Sequence, residues 1–345
     1  PFRRPASDTF AEVVRAGLGP TVADGFYEPY VRKIWGTSPA DLSGDLARRR
    51  VSASSPGALL RRVVRGSRPE GQVFHYPRRG FGAISEVLAD AAVGAGVELL
   101  LDTEVVGLDP GHDDRPAVVD VAAPGGELRS LTADLVWSTA PVADLATRTR
   151  PAPPAEVLEA VGRLEHRGLV LVYLTLPLQQ WTTFDAHYLP GTAHLAARVS
   201  EPRNYRDSAS DPHGITVVCA EVPATVGDAV WTASDADLAA RLLDDFRRLG
   251  LPAVAPAEVT TVRLPRVYPL YRPGFEWDLV ALEWWLAEHP RLVSFGRQGL
   301  FVPDNTHHAL AMADAAANAL RSDGRFDRHA WAKARAGFHH HVVED

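Results

Sequence analysis

One segment near the C-terminal end of the chain combines residue types that could bind an anionic cofactor. It reads Gly296-Arg297-Gln298-Gly299-Leu300-Phe301 and is followed by Asn305 and His308. Glycines let a backbone approach a ligand closely, an arginine pairs with phosphate, and the positive end of a following helix attracts negative charge. A glycine turn between a strand and a helix is more often purely structural, so the residue types alone leave both interpretations open.

The elements around this segment alternate between helix and strand, as in an α/β lobe. Helices are predicted where apolar residues recur at a spacing of three and four, and strands where short apolar runs lie between glycine or proline turns. An apolar strand would lead into the glycine segment, and an alanine-rich helix would follow it. The predicted elements are a helix at residues 84–92, strands at 97–101, 117–122, 131–137 and 292–295, and a helix at 306–320.

A second lobe is predicted after the proline-rich residues 150–154, which interrupt the regular elements. Its strands are almost unbroken apolar runs, which are typical of strands buried on both faces. The chain opens with helices, because Phe10, Val14 and Leu18 share one helical face. The second lobe comprises a helix at 155–164, strands at 169–174, 215–222 and 259–264, and a helix that begins near Ser234.

The composition limits the class of partner. The 345 residues carry a formal charge of -7 with an isoelectric point near 6.0, which disfavours nucleic-acid binding. Arginine runs at residues 48–50 and 61–65 are interpreted as solvated surface without a function. The single cysteine, Cys219, lies in an apolar run, which indicates a buried strand and a cytoplasmic location. No run approaches the roughly 20 apolar residues of a membrane-spanning helix.

The glycine segment and four earlier blocks resemble, in order, the protoporphyrinogen-oxidase branch of the flavin amine oxidases. In that family a Gly-Arg-x-Gly block, an asparagine or aspartate with a nearby histidine, and a helix of small residues close over FAD. The matching residues here are Gly296, Arg297, Gly299, Asn305, His308 and Met312. The other blocks are residues 30–36 with 42–51, 76–84 with 102–106, 133–141, and 266–274. Arg79 departs from the glycine common in the second block.

The resemblance implies FAD as cofactor and adds residues to its site. Val105 matches the position whose backbone meets the adenine, and Leu300 belongs to the glycine block. A strand-to-loop crossing beside the cofactor contributes Ser138, Thr139 and Pro141.

Aromatic side chains are the candidates for the substrate pocket, although aromatic residues more often fill cores. The candidates are Tyr268 and Tyr271, with Trp284 and Trp285. No catalytic protein residue is assigned, because the flavin itself would accept the hydride.

The resemblance also implies a division into an FAD-binding Rossmann-like lobe and a substrate lobe of mixed sheet and helices. The predicted parts are a helical part of the substrate lobe at 1–70, the central FAD lobe at 71–150, the substrate lobe at 151–270, and the C-terminal FAD lobe at 271–345. The glycine-rich Gly-x-Gly-x-x-Gly turn of complete members does not occur here. Residue 1 is a proline and the only methionine is Met312, so the sequence is expected to lack an N-terminal segment.

The predicted function is oxidation of a small organic substrate by hydride transfer to FAD, with oxygen or a quinone as electron acceptor. Loss of the N-terminal segment would be compatible with a chain that is inactive alone. A non-redox flavin mutase resembling UDP-galactopyranose mutase is an alternative, and so is a non-catalytic binding protein that has lost its cofactor. The oligomeric state stays open.

Other kinds of site are less well supported by the residues. The neighbours His307 and His308 diverge on a helix, and residues 339–341 are interpreted as a terminal tail, so no metal site is predicted. The sequence contains no Gly-x-Ser-x-Gly motif, and Cys219 has no local activating group, so covalent catalysis is not predicted.

Overall fold

The computed structural model describes residues 7–51, 75–112, 114–206, 208 and 211–343. The arginine cluster at 61–65 lies outside these residues. The helices are α1 (Phe10–Leu18), α2 (Pro20–Val22), α3 (Glu28–Trp35), α4 (Gly44–Arg50), α5 (Ala83–Gly94), α6 (Val142–Arg148), α7 (Ala155–Arg163), α8 (Asp235–Arg248), α9 (Phe275–Ala287), α10 (Gly296–Gly299), α11 (Thr306–Ala319) and α12 (Arg328–Gly337). The strands are β1 (Glu104–Asp109), β2 (Ala117–Ala122), β3 (Leu128–Ala133), β4 (Val136–Ser138), β5 (His166–Leu176), β6 (Ala186–Tyr188), β7 (Arg198–Ser200), β8 (Thr216–Ala224), β9 (Glu258–Pro269) and β10 (Leu292–Ser294).

The largest sheet has five strands in the order β6-β7-β8-β5-β9, all antiparallel to their neighbours. Strand β5 pairs with β8 on one edge and with β9 on the other. Helix α8 begins where Ser234 Oγ accepts a hydrogen bond from the Asp237 amide at 3.1 Å. Leu238, Leu242 and Phe246 of this helix are buried against the sheet. This unit forms one wall of the cavity described below.

The opening helices pack with α9 into a second core. Its centre includes Phe10 of α1, Val31 of α3, Leu46 of α4 and Leu282 of α9, each at most 2% exposed. Full burial of an aliphatic or aromatic side chain contributes about 1.5–3 kcal/mol. Apolar contacts therefore hold the opening helices against the second half of the chain.

The glycine segment follows the parallel pair β4-β10, in which Val136 lies opposite Leu292 and Ser138 opposite Ser294. Helices α11 and α12 pack on this side around a third core that includes Met312 and Trp331. Strands β1, β2 and β3 form a separate antiparallel sheet. Gly125 and Gly126, both at positive φ, form the turn between β2 and β3. The combination of helices with open parallel and antiparallel sheets confirms the predicted α/β class. The boundaries of the four predicted parts stay a prediction.

Two predicted strands differ from the structure. Residues 97–101 form no strand, because a strand needs a neighbour for its backbone hydrogen bonds and no described residue pairs with them. The predicted strand at 131–137 is divided, because β3 pairs antiparallel with β2 whereas β4 pairs parallel with β10. The chain changes sheets between Ala133 and Val136.

Candidate cofactor and substrate cavity

The predicted glycine turn is a single helical turn, α10, whose two glycines are required by different constraints. Gly296 has a φ of 82°, a conformation that residues with a Cβ rarely adopt. At Gly299 a Cβ would lie 2.8 Å from Ser294 Oγ and 3.2 Å from the Ser138 carbonyl oxygen. A Cβ at Gly296 would meet Thr139 at 3.6 Å, which is ordinary contact. The structure therefore brings Ser138, Thr139 and both glycines together, and their contact with FAD stays a prediction.

Side chains of α10 join this turn to the end of β9. Arg297 Nη2 donates to the Val267 carbonyl at 2.7 Å, and Gln298 Nε2 donates to the Arg266 carbonyl at 2.7 Å. Arg297 Nε is buried and has no hydrogen-bond partner among the residues that the structure describes. Burial, followed by the positive charge of Arg50, lowers the pKa of Arg297 below its ordinary value. The turn thus presents a partly desolvated cation whose hydrogen bonds are incomplete.

Helix α11 begins with a capping box next to this turn. The backbone amide of Asn305 donates to His308 Nδ1 at 3.2 Å, and the Asn305 side chain accepts from the amide of residue 308. His308 is buried, and burial lowers the pKa of its imidazole. His308 therefore orients the helix N-terminus and does not itself line the cavity.

A histidine from the C-terminal region meets this helix end. His341 Nδ1 lies 2.6 Å from Asp304 Oδ2, and its ring stacks on His308 at 4.3 Å. Asp304, His308 and His341 offer ligand atoms within 4.8 Å of one another. The sequence interpretation of residues 339–341 as a tail missed this contact, because the residues are distant in sequence and meet only in the fold.

A cavity of about 330 Å³ lies between this block, the opening helices and the five-stranded sheet. Arg297 and Asn305 form its end at the glycine block, and Tyr268 lies beside them. The other lining residues are Phe10, Tyr27, Tyr30, Val31, Ile34, Trp35, Arg50, Val51, Leu169, Tyr188, Ala197, Arg198, Glu221 and Val267. The volume suits one small ring-bearing molecule.

Other residues assigned to the site from sequence lie elsewhere. Tyr271 is 1% exposed, and its hydroxyl donates to the Phe301 carbonyl at 2.9 Å, so it is outside this cavity. The chain turns at the end of β9, which separates Tyr271 from Tyr268. Met312 is fully buried in the third core. Val105 is on the separate sheet and 45% exposed.

The remaining assigned residues flank the block. Pro141 caps the N-terminus of α6, and Leu300 ends α10. Trp284 is 75% exposed and Trp285 is buried in the second core, and neither lines the cavity. Consecutive residues of a helix point about 100° apart, which explains their opposite exposure.

Sequence reasoning missed the charged residues of the cavity. Arg50 was interpreted as part of a solvated run, but its guanidinium lies 5.6 Å from the ring centre of Trp35 and 5.8 Å from that of Tyr268. Arg198 and Glu221 come from adjacent strands β7 and β8 and form an ion pair. Arg50 lies near Trp35 of the resemblance block at residues 30–36, and this proximity is visible only in the folded chain.

Comparison with known proteins identifies the family. The sequence profile of flavin-containing amine oxidoreductases matches residues 3–318. The chain belongs to this family. A search of curated protein sequences finds no match.

Two solved structures show how the fold of this chain compares with others. A reduced UDP-galactopyranose mutase superposes with a TM-score of 0.75 at 18% identity, over 100% of this chain and 74% of that one. A putative protoporphyrinogen oxidase from Exiguobacterium sp. 255-15 superposes with a TM-score of 0.62 at 20% identity, over 86% of this chain and 63% of that one. At these identities the likeness concerns the fold. Among the helices that the structure describes, none has the length and apolarity needed to cross a bilayer.

FAD is the cofactor of this flavin-containing oxidoreductase family, and the residues at the glycine block fit it. The buried Nε of Arg297, which has no hydrogen-bond partner among the described residues, can donate to an anionic or carbonyl group. Gly296 and Gly299 allow the tight turn that holds Arg297 at this position. Burial raises the pKa of Cys219 to about 11, so this thiol on β8 stays protonated at neutral pH.

Replacing Gly299 with alanine tests the close packing of the block. The added Cβ would overlap Ser294 Oγ, and we expect a loss of about 1–3 kcal/mol in the free energy of unfolding, together with weaker FAD binding. Urea unfolding and FAD titration measure the two effects. Gly162→Ala is the matched control, because this helical glycine has open space around its Cβ position and should be unchanged or slightly more stable. Equal behaviour of the two variants would contradict the close packing.

Proposed function

We propose that the chain forms the flavin-ring and substrate part of an FAD-dependent oxidoreductase that oxidises a small organic substrate. The observation that carries the proposal is the cavity between the glycine block and the five-stranded sheet. Arg297 and Asn305 line it together with aromatic residues of the opening helices. A cofactor held at the glycine block would therefore adjoin a substrate held in the cavity.

The chain's own residues bind, orient and exclude water. Gly296 and Gly299 allow the tight turn of α10, Arg297 supplies a cation, and the N-terminus of α11, held by His308, supplies a positive dipole end. Apolar side chains such as Val31, Ile34 and Val51 keep one wall dry. When bound, FAD supplies the two-electron chemistry as a hydride acceptor, with oxygen or a quinone as the proposed re-oxidant.

A non-redox mutase is a second candidate. The superposition with UDP-galactopyranose mutase covers the whole chain with the higher TM-score of the two comparisons, which supports this alternative on fold. The two candidates differ in electron balance, because an oxidoreductase consumes an electron acceptor in each turnover and a mutase regenerates its flavin without one. A cytoplasmic location is part of the proposal.

Titration of the purified chain with FAD, followed by flavin fluorescence, tests the proposal first. We expect a saturable change in fluorescence and, with the anaerobically photoreduced complex, re-oxidation on addition of oxygen or a soluble quinone. Isomerisation of UDP-galactopyranose by the reduced complex without acceptor consumption would favour the mutase. A chain that takes up no FAD would overturn both and leave a non-catalytic binding protein.

A further inference from the structure

Another cavity, of about 210 Å³, lies next to the one at the glycine block and is separate from it. No described residue lines both cavities. Helix α4 contributes to both through neighbouring residues, with Arg50 at the first cavity and Arg49 at the second. The chain after β9 does the same, with Tyr268 at the first and Tyr271 at the second. Helix α4 and this segment therefore form a wall between two different binding spaces.

The wall of the second cavity is mostly apolar and aromatic. Tyr271 and Phe275 are buried, and their rings stack with 3.8 Å between centres. Val302 and Phe338 are buried beside them, whereas Val280 of α9 is 41% exposed and marks the opening. Apolar cavities of about 150 Å³ admit benzene. The second cavity is thus large enough for one ring with a small substituent.

One buried cation interrupts this apolar wall. The side chain of Arg49 lines the cavity and is 8% exposed. Its Nε donates to Asp45 Oδ2 at 3.4 Å. Its Nη1 is buried without a hydrogen-bond partner among the described residues, and it lies 4.0 Å from Asp304 Oδ1, beyond hydrogen-bonding distance. Because a buried donor without an acceptor is unfavourable, the guanidinium is suited to an additional oxygen acceptor.

The surrounding charges disfavour an anion as that acceptor. Carboxylates of Asp45, Glu276 and Glu283 line the cavity. Two arginines, Arg49 and Arg335, oppose them, and Arg335 Nη2 donates to Glu283 Oε1 at 2.6 Å. A carboxylate or phosphate ligand would therefore meet an excess of like charge. A neutral carbonyl or hydroxyl oxygen can accept the same hydrogen bond without this repulsion.

We propose that this second cavity binds a small, neutral ring compound that carries a carbonyl or hydroxyl oxygen, and that the guanidinium of Arg49 donates to this oxygen. The ring would lie against Tyr271 and Phe275. Leu300 and Val302 line the cavity, so the ligand would also contact the segment that follows the glycine block. The site goes beyond the proposed function and is independent of it, because binding there requires no flavin.

Ligand-observed NMR titration with four compounds of similar ring size tests the class of ligand. The compounds are acetophenone, benzyl alcohol, ethylbenzene and benzoate. We expect acetophenone or benzyl alcohol to bind about 10–100-fold more tightly than ethylbenzene, which lacks an acceptor, since hydrogen bonds to charged groups are the stronger ones. Benzoate should bind more weakly than acetophenone. Preference for acetophenone indicates a ketone, and preference for benzyl alcohol indicates an alcohol.

A variant at the opening locates the binding site without changing the core. Val280→Trp places a large side chain at the exposed edge of the cavity, and we expect it to weaken acetophenone and ethylbenzene binding by at least about 10-fold. Ala287→Trp is the matched control, because this residue is also exposed on α9 and does not line the cavity. The control should bind both compounds like the wild type.

A second variant identifies the donor. Arg49→Met keeps the length of the side chain and removes the donor, and we expect it to weaken acetophenone binding by about 10–100-fold while ethylbenzene binding is unchanged. Arg48→Met is the control, because Arg48 pairs with Asp8 outside the cavity. If Arg49→Met does not fold, the ligand series and the variant at the opening still decide the result.

Three results would overturn the proposal. Equal binding of ethylbenzene and the oxygen-bearing compounds would remove the role of Arg49, and tighter binding of benzoate would reject a neutral ligand. Unchanged acetophenone binding by Val280→Trp would place the ligand outside this cavity. All titrations use protein without added FAD and are repeated with FAD, so failure of FAD uptake would reject the proposed function and leave these results intact.

Discussion

Replacing Glu201 with glutamine will destabilise the five-stranded sheet by about 3–5 kcal/mol, because a buried carboxylate there accepts several hydrogen bonds at once. Glu201 is 1% exposed. One of its oxygens accepts from the Trp181 amide at 2.8 Å and from Thr216 Oγ1 at 2.7 Å. The other accepts from the Thr182 amide at 3.0 Å and from Asn204 Nδ2 at 3.1 Å.

Glutamine has nearly the same shape, but its amide nitrogen would face two donors whichever way it is turned. The effect therefore comes from hydrogen bonding and not from volume. Urea unfolding followed by tryptophan fluorescence measures it, since Trp181 is part of the network. Glu258→Gln, at an exposed position on β9, is the control and should change stability by less than about 0.5 kcal/mol. A similarly small effect at Glu201 would show that the four donors find other partners.

The free energy of unfolding will depend on the protonation of His166 between about pH 6.5 and pH 4. Burial, followed by the positive charge of Arg266, lowers the pKa of His166 to about 4 from its ordinary value of 6.5. Asp144 acts in the opposite direction, and Arg297 lowers the pKa further. The imidazole packs edge-on against Phe301 with 4.8 Å between ring centres.

Because the folded-state pKa is below the unfolded one, the unfolded chain binds the proton first as the pH falls. The stabilisation is fully present above pH 6.5 and is lost progressively towards pH 4, by about 2–3 kcal/mol. Urea unfolding of the wild type and of His166→Gln over this range measures the difference in slope. His213→Gln, at an exposed position, should keep the wild-type slope. Parallel curves for the wild type and His166→Gln would contradict the assignment.

Local patterns were sufficient for the part of the site that is contiguous in sequence. The strand, glycine turn and helix at 292–320 were predicted in place, because two glycines, an apolar run and an N-terminal cap are all visible in one window. The charged part of the cavity was not predictable in this way. Arg50, Arg198 and Glu221 come from α4, β7 and β8, and nothing in their local sequence distinguishes them from surface residues.

The incorrect strand at 97–101 has a related cause. A short apolar run indicates that a segment is suited to pairing, but hydrogen bonding requires a partner that the segment itself does not reveal. Along the preceding helix α5, no residue is buried, and Val87 and Leu88 are 59% and 52% exposed. The apolar spacing therefore predicted the helix, and its apolar side chains are exposed among the residues that the structure describes.

The bonds from Arg297 and Gln298 to the end of β9 make the glycine block and the floor of the cavity a single rigid unit. Separating the two would break both hydrogen bonds, at a net cost of about 0.5–1.5 kcal/mol for the neutral bond of Gln298 and more for the charged bond of Arg297. Entry of a ligand would then require rotation of side chains such as Tyr188, which lines the cavity and is 51% exposed. A cavity with fixed walls selects ligands by their fit to its existing shape and not by inducing the protein to close around them.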